Sequence, residues 1–408
     1  MSAVAPTPGA AATGAAGTDP PERYDVLIAG AGLVGVALAS ALARLRLKVV
    51  LLDGAGPRPV PEPGSWDTRV YAISPGSAAF LASLGAWQAL ECDRIEAIET
   101  MRITGDAGAT LEFSAYELGE RALAWIVEER ALRAALLPQI HTSFLDFVAG
   151  ARFASLAWST DEGTLALADG RRYSARLIVG ADGVHSWVRH AAGVDAAPRS
   201  YGQQGVVANF ECELAHHGCA RQWFREDGSV LAWLPLPGRR ISIVWSAPDA
   251  LAAELLALAP EAFALRVADA GGSALGTLSL ITAPAAFPLS SMRLATPIAN
   301  RMALVGDAAH GIHPLAGQGV NLGFGDARVL AEVLAERGPV ADAGAPILLE
   351  RYACRRAEPI LAMHAVTDGL VRLFRPHGGL VGRIRNAGLS AVDRLPIVKR
   401  ALAQPALR

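Results

Sequence analysis

The sequence predicts an α/β fold with an inserted, mostly antiparallel sheet and a helical C-terminus, and three observations predict it. An apolar run from Tyr24 to Ala29 ends in Gly30, Gly32 and Gly35, and a helical spacing and a second apolar run follow it. Two later strand-to-turn junctions repeat the same pattern of an apolar run ending in small residues. Arg176 to Gly180 runs into Ala181-Asp182-Gly183, and Met302 to Val305 runs into Gly306-Asp307. From Val206 to Trp245, short apolar runs are separated by Glu226-Asp227-Gly228 and Pro237-Gly238, as in antiparallel sheet.

Each element has its own signal. Tyr24 to Ala29 reads as a buried strand. Leu33, Val34, Ala37, Leu38, Ala41, Leu42 and Leu45 follow helical spacing. Lys48 to Leu52 completes a βαβ unit of about 30 residues, and Asp53 closes it. Met101 to Thr104 and Thr110 to Phe113 flank the turn Gly105-Asp106-Ala107-Gly108 as a hairpin. Ala122 to Val127 reads as a strand and Glu129 to Leu137 as a helix. A helix from about Gly319 places Val320, Phe324, Ala327, Leu330 and Leu334 on one face. The last fifty residues read as helical. The predicted organisation is therefore discontinuous. A disordered tail covers 1–23. A Rossmann-like dinucleotide-binding domain is assembled from 24–97, 118–190 and 296–360. A substrate domain covers 98–117 and 191–295, and a C-terminal helical region covers 361–408.

Composition narrows the class. Of 408 residues, 52% are apolar and 19% charged, which excludes a disordered chain. Lys plus Arg total 37 against 39 acids, so the balance argues against a nucleic-acid binder. Cys92, Cys212, Cys219 and Cys354 form no C-x-x-C pair, so zinc and a disulfide framework are not expected. They read as buried or half-buried thiols in a reducing cytoplasm. No apolar run reaches the ~18 residues of a membrane span. The first 23 residues lack a basic n-region and a continuous apolar stretch, so they do not read as a secretion signal.

Four segments carry chemistry. In Gly30-Ala31-Gly32-Leu33-Val34-Gly35, the first glycine permits a tight turn and the second lets backbone N–H groups approach a pyrophosphate. The third allows close helix–strand packing. The helix N-terminus then faces the phosphates. Asp53 follows where an acid binds a ribose hydroxyl pair. This pattern selects a dinucleotide without choosing FAD or NAD. Asp182-Gly183, taken alone, is most simply a turn. Asp307, at the end of a buried strand, suits a ribityl hydroxyl. The loop Gly317-Gln318-Gly319-Val320-Asn321 opens a helix whose N–H groups suit a group gaining negative charge. His310 and His313 stand three apart without a third ligand nearby, so no metal is expected.

Together these segments resemble the group A flavoprotein monooxygenases of the para-hydroxybenzoate hydroxylase fold. His313 to Asp326, H-P-L-A-G-Q-G-V-N-L-G-F-G-D, is similar to the signature of the ubiquinone-biosynthesis hydroxylases. Asp67 to Ser74 and Thr367-Asp368-Gly369-Leu370 with Phe374 look like the same subfamily. The likeness spans residues 24 to about 400. It implies bound FAD held by Gly30, Gly32, Gly35, Asp53, Arg69, Arg130, Asp182, Gly306, Asp307, Pro314, Gly317, Gln318, Gly319, Val320 and Asn321. It places Pro314 and His313 at the catalytic centre. It further implies transient NAD(P)H, a flavin C4a-hydroperoxide formed with O2, and a hydrophobic aromatic substrate, a polyprenyl phenol of ubiquinone biosynthesis. Two alternatives remain: a hydroxylase of a soluble aromatic, and a non-catalytic flavin-binding accessory protein of a biosynthetic complex.

The chain departs from the subfamily pattern at Val127-Glu128-Glu129-Arg130, at Gln222-Trp223-Phe224 and at Gly205. These positions lie in or near the expected substrate region. Arg372, Arg375, Arg383, Arg385, Arg394, Lys399 and Arg400 are interspersed with apolar residues. They read either as solvated cations of an ordinary helix, the reading slightly favoured, or as a surface for anionic membrane. The expected location is cytoplasmic, with peripheral contact at the inner membrane face or a biosynthetic complex as candidate partnerships.

Overall fold

The computed structural model describes residues 21–56, 62, 64–194, 196–313, 317–338 and 341–373, with single positions 386, 393 and 399. The chain enters at β1 (Glu22–Ala29), so the last two residues of the expected tail are strand. Next come α1 (Leu33–Arg44) and β2 (Val49–Asp53). They are followed by β3 (Val70–Ile73), α2 (Pro75–Ser83), β4 (Ile95–Ile98) and the hairpin β5 (Thr100–Thr104) with β6 (Thr110–Ser114). A short α3 (Ala115–Leu118) leads to β7 (Ala124–Glu128), α4 (Glu129–Leu136) and β8 (Leu145–Ala149). A hairpin that the sequence pattern does not signal, β9 (Phe153–Trp158) with β10 (Gly163–Leu167), precedes β11 (Arg172–Gly180) and α5 (Trp187–Ala191).

The β-rich stretch is β12 (Arg199–Cys212), β13 (Cys219–Phe224), β14 (Val230–Leu236) and β15 (Arg240–Pro248). It continues through α6 (Asp249–Ala257), α7 (Pro260–Ala270), β16 (Leu278–Leu280) and β17 (Ala285–Arg293). The chain then passes β18 (Ile298–Ala299), β19 (Met302–Leu304) and β20 (His310–Gly311) before α8 (Gly319–Ala335) and α9 (Pro346–Leu373).

The first sheet runs β18-β19-β11-β1-β2-β8, with β10 and β9 added beside β11. The four pairings from β8 across to β19 are parallel. Such strands are buried on both faces, and the sequence shows it. Val26, Ile28, Val49 and Leu51 pack into the core under α1 and α8. Leu27, Val50 and Leu52 pack on the opposite side with residues of β10 and α5. The strand order places β2 and β8 on one side of β1, and β11 and β19 on the other. In open α/β sheets ligands bind in the crevice at such a switch, beyond the carboxyl ends of the strands.

The second sheet runs β20-β17-β12-β15-β14-β13-β5-β6, with β16 also on β12. Its far face, including Val206, Phe210, Trp233 and Trp245, is sealed by Leu255 and Phe263 of α6 and α7. Its near face meets a three-stranded sheet, β3-β7-β4. Ala220 and Leu236 there pack on Ala72, Ile98 and Ile126. β20 joins this sheet through His310 opposite Arg293, so one pair of residues from the 296–360 stretch belongs to the β-rich layer. Cys92 and Cys354 are exposed, which corrects the expectation of buried thiols, while Cys212 is buried and Cys219 half-buried.

Candidate cofactor and active site

Three loops converge at the switch. Gly30 adopts φ +106°, a left-handed conformation that glycine takes without penalty. A Cβ on it would collide with the backbone of Ala181 and Asp182, the turn after β11. Ala181 N donates to Ala29 O at 2.7 Å, closing the two loops together. A Cβ on Gly35 would collide with the Gly30 carbonyl, whereas one on Gly32 would meet no protein atom within 4 Å. So Gly30 and Gly35 are required by packing, and Gly32 faces open space at the N-cap of α1. That N-terminus has no acidic residue in its first turn and no side-chain cap. Its free N–H groups therefore suit an anion. Arg133 Nη1 donates to Ala31 O at 2.7 Å and holds the loop from α4. Asp53 ends β2, with Oδ1 accepting from Ala55 N at 3.2 Å.

The Asp182 carboxylate is engaged locally. Its oxygens accept from Ser186 Oγ at 2.5 Å and Val188 N at 3.0 Å. These contacts brace the first turn of α5, whose N-cap is Ser186, and leave the half-buried carboxylate at the surface of the turn. Gly306 follows β19 at φ +60°. Asp307 is exposed yet ringed by protein, as a group at the bottom of a recess is. Burial pushes its carboxyl up, while His310 and Arg69 act in the opposite sense. No described residue hydrogen-bonds that carboxylate. Behind it, Asp326 on α8 is completely buried and accepts from Gly306 N at 2.8 Å, His310 Nε2 at 2.6 Å and Arg356 Nε at 2.6 Å. Burial alone would raise its pKa, but these partners hold it below the ordinary carboxylate range. Sequence reasoning missed Asp326 and Arg356. The available signal is an acid recurring at helical spacing in an otherwise apolar stripe.

Gly317 (φ +61°) and Gly319 lead into α8, whose first turn contains no acid and no side-chain cap. A Cβ on Gly319 would meet no protein atom within 4 Å. Asn321 and Gln318, by contrast, face inward. Asn321 Nδ2 donates to Ala72 O at 2.7 Å and to Gln318 Oε1 at 3.2 Å, and its Oδ1 accepts from Ser74 N at 3.0 Å. This amide fastens α8 to β3 and so shapes the loop. Val320 is buried against the same core. Pro314 lies outside the described residues.

Arg69 is exposed at the entry to β3, close enough to influence Asp307 and Tyr71. Arg130 is held by Ser65, through the carbonyl and through Oγ at 2.8 Å, and by Glu128 at 3.1 Å. Glu128 is 1% exposed and also receives Asp67 N–H at 2.5 Å and pairs with Arg94 at 3.4 Å. The departure at Val127-Glu128-Glu129-Arg130 is thus a buried anion organising two arginines.

Opposite these loops lies the near face of the second sheet. Ala232, Val244, Val207 and Ala285 stand directly opposite one another on four adjacent strands. Paired residues share a face, so they form an apolar floor. Asn209 Nδ2 on the same face donates to Asp67 O at 2.7 Å, which fixes that face toward the loops. Gly205 is also explained: a Cβ there would lie 2.8 Å from the ring of Phe287. At one end of the floor His313, 1% exposed, has Nε2 at 3.3 Å from Gln203 Oε1 and its ring edge-on to Tyr201 at 4.8 Å. Tyr201 in turn donates to Asp368 Oδ1 of α9 at 2.5 Å. Three sequence segments far apart in the chain meet here.

The residues fit a flavin dinucleotide: open space before Gly32 and Gly319, two uncapped helix N-termini, and an unpartnered carboxylate between them. No group of three or more metal-ligating residues occurs among the described residues. Comparison with known proteins agrees with this geometry. The family described as FAD binding domain matches residues 23–367. The chain is similar to ubiquinone hydroxylase UbiL of Rhodospirillum rubrum, 37% identical over 385 residues, covering 94% of this chain and 89% of that protein. It is similar to the 3-demethoxyubiquinol 3-hydroxylase of Escherichia coli, 33% identical over 386 residues, covering 94% and 98%. Among solved structures, PqsL, a probable FAD-dependent monooxygenase from Pseudomonas aeruginosa, superposes with a TM-score of 0.75 at 25% identity, covering 90% of this chain and 99% of that one.

Proposed function

This chain belongs to the FAD binding domain family of flavoprotein monooxygenases, and on that premise we propose that it hydroxylates the aromatic ring of a polyprenyl phenol on the path to ubiquinone. The observation that carries the reading is the packing of the Gly30 and Gly306 loops around Val34 of α1, with α8, opened by Gly317, set against both through Gly323. The relatives' names supply the substrate class. Bound FAD supplies the redox chemistry, taking electrons from NAD(P)H and activating dioxygen so that one oxygen atom reaches the ring.

The chain's own residues bind, orient and exclude water. The N-terminus of α1, opened by Gly32, receives the pyrophosphate, and Asp53 receives the adenosine ribose. Asp307 holds a ribityl hydroxyl, with Arg69 beside it. The N-terminus of α8 at Gly317, Gln318 and Gly319 stabilises negative charge on the flavin ring edge. Arg130, Val320 and Asn321 shape the walls. His313 borders the reacting face. Ala232, Val244 and Val207 floor a dry site, which protects reactive oxygen species from water. Residues 98–117 and 191–295, with β20, form the substrate layer, and the remaining sheet residues form the cofactor layer.

A strain lacking this chain tests the reading. It is expected to accumulate a polyprenylated intermediate short of one ring hydroxyl, and that compound identifies the ring carbon. Unchanged ubiquinone with no accumulated intermediate, and a soluble aromatic accumulating instead, would overturn it.

A further inference from the structure

His313 lies between β20, which is paired to the second sheet, and the N-terminus of α8. Its Nε2 faces Gln203 Oε1 at 3.3 Å, and Gln203 Nε2 donates to Gly228 O at 3.1 Å. A backbone carbonyl only accepts, so the amide nitrogen must face Gly228 and the amide oxygen must face His313. That oxygen requires an N–H on His313 Nε2. A neutral imidazole carries one N–H, so Nδ1 holds a bare lone pair. Burial keeps the ring neutral, pulling its pKa down to about 4, with Asp368 acting in the opposite sense.

Among the described residues none donates to Nδ1. Tyr201, the nearest hydroxyl-bearing ring, gives its proton to Asp368. A buried acceptor without a donor forfeits the hydrogen bond it had in water. Asn209 Oδ1 and Ser242 Oγ also lack partners. They share a register position beside Leu234, where the three-stranded sheet covers the face. His313 instead stands at the polar end of the apolar floor.

We propose that His313 Nδ1 accepts a hydrogen bond from the hydroxyl of the phenolic substrate, and that Gln203 fixes the tautomer that makes it an acceptor. The inference rests on the proposed function. The proton stays on oxygen: a neutral, buried imidazole polarises the O–H bond and raises electron density in the ring at the positions to be oxygenated. His313 also orients the ring, because only one edge of the substrate carries the donor.

Binding to the holoenzyme, followed by the perturbation of flavin absorbance, tests this with a 2-prenylphenol and its methyl ether. The wild type is expected to bind the phenol roughly tenfold to a hundredfold more tightly than the ether. His313→Ala, with FAD content and melting temperature checked, is expected to lose that discrimination. His313→Asn, which can place an acceptor near the Nδ1 position, is expected to restore part of it. Discrimination retained in His313→Ala, or absent from a wild type that binds both compounds, overturns the inference and leaves the proposed function standing. A wild type that binds neither compound overturns both.

Discussion

Gly32 and Gly35 lie three residues apart and respond oppositely to an added side chain. Gly35→Ala drives a methyl group into the Gly30 carbonyl, and destabilisation of about 2–4 kcal/mol is expected from backbone displacement. The Cβ of Gly32→Val meets no protein atom within 4 Å, so the apoprotein should melt within a few degrees of wild type while FAD binding is lost. Calorimetry on the apoprotein, paired with FAD titration, separates the two. Asp307→Ala should also fold, and should weaken FAD by roughly tenfold to a hundredfold as one charge-assisted contact is removed. Unchanged flavin affinity would contradict its role. The glycine spacing and Asp307 are legible in the sequence because local backbone demands repeat along the chain. Resemblance assigns Asp182 and Asn321 to the cofactor as well, but their side chains fold back onto protein, which spacing does not reveal.

His313 titrates at about 4 in the fold against an ordinary 6.5. Between those values the unfolded chain binds a proton that the folded chain refuses, so stability falls as pH drops through that window. This one group should cost about 3 kcal/mol between pH 7 and pH 4. His364, also lowered by burial, acts in the same direction. Urea unfolding across that range should show the slope, and His313→Ala should flatten it.

At the scale of the element, α8 does two things. Its N-terminus faces the recess, and its Asp326 ties the Gly306 turn, β20 and α9 together. Asp326→Asn leaves a buried arginine and histidine without their anion, and a loss of about 3–5 kcal/mol is expected. Double substitution of Asp326 and Arg356 by apolar residues of similar size should recover much of it. The paired folded-state pKa of Asp326 is depressed, so its contribution is present above the unfolded carboxylate value and lost as pH falls through the folded one. The helical stripe of α8 is legible from Val320, Phe324, Ala327, Leu330 and Leu334, but the purpose of the acid within it is not. An acid at that spacing reads as solvent-facing until its partners from β20 and α9 are placed. The β9–β10 hairpin escapes notice because β9 is irregularly exposed and the alternating buried face of β10 begins on Gly163 with Ala166 on the other face, which blurs the apolar–polar alternation that marks a strand.

At the scale of the molecule, a three-stranded sheet packs on the second large sheet and is tied to α8 beside the first. The parallel order and the inserted antiparallel layer are legible because their hydrophobic patterns differ: continuous runs in the first and short alternating runs in the second. The pairing of the Gly306 loop with β17 through β20 is not, since it joins two layers over a two-residue contact. The membrane surface suggested by the C-terminal cations gains nothing from Lys399. Its side chain is 11% exposed, and the ammonium pairs with Glu117 and Asp393, each at 3.4 Å. Among the described residues no helix is long and apolar enough to cross a bilayer. Arg375, Arg383, Arg385, Arg394 and Arg400 lie outside those residues. Flotation with anionic vesicles at low salt is expected to show no Lys399-dependent binding.

Oxygen incorporation by the holoenzyme decides whether the chain is a hydroxylase. With isotopically heavy dioxygen, NAD(P)H and a 2-polyprenylphenol, phenol-stimulated NAD(P)H oxidation and a product carrying one heavy oxygen on its ring are expected. FAD-loaded protein whose NAD(P)H oxidation ignores the phenol, with no label in any product, would contradict this and identify the chain as a flavin-binding protein without turnover.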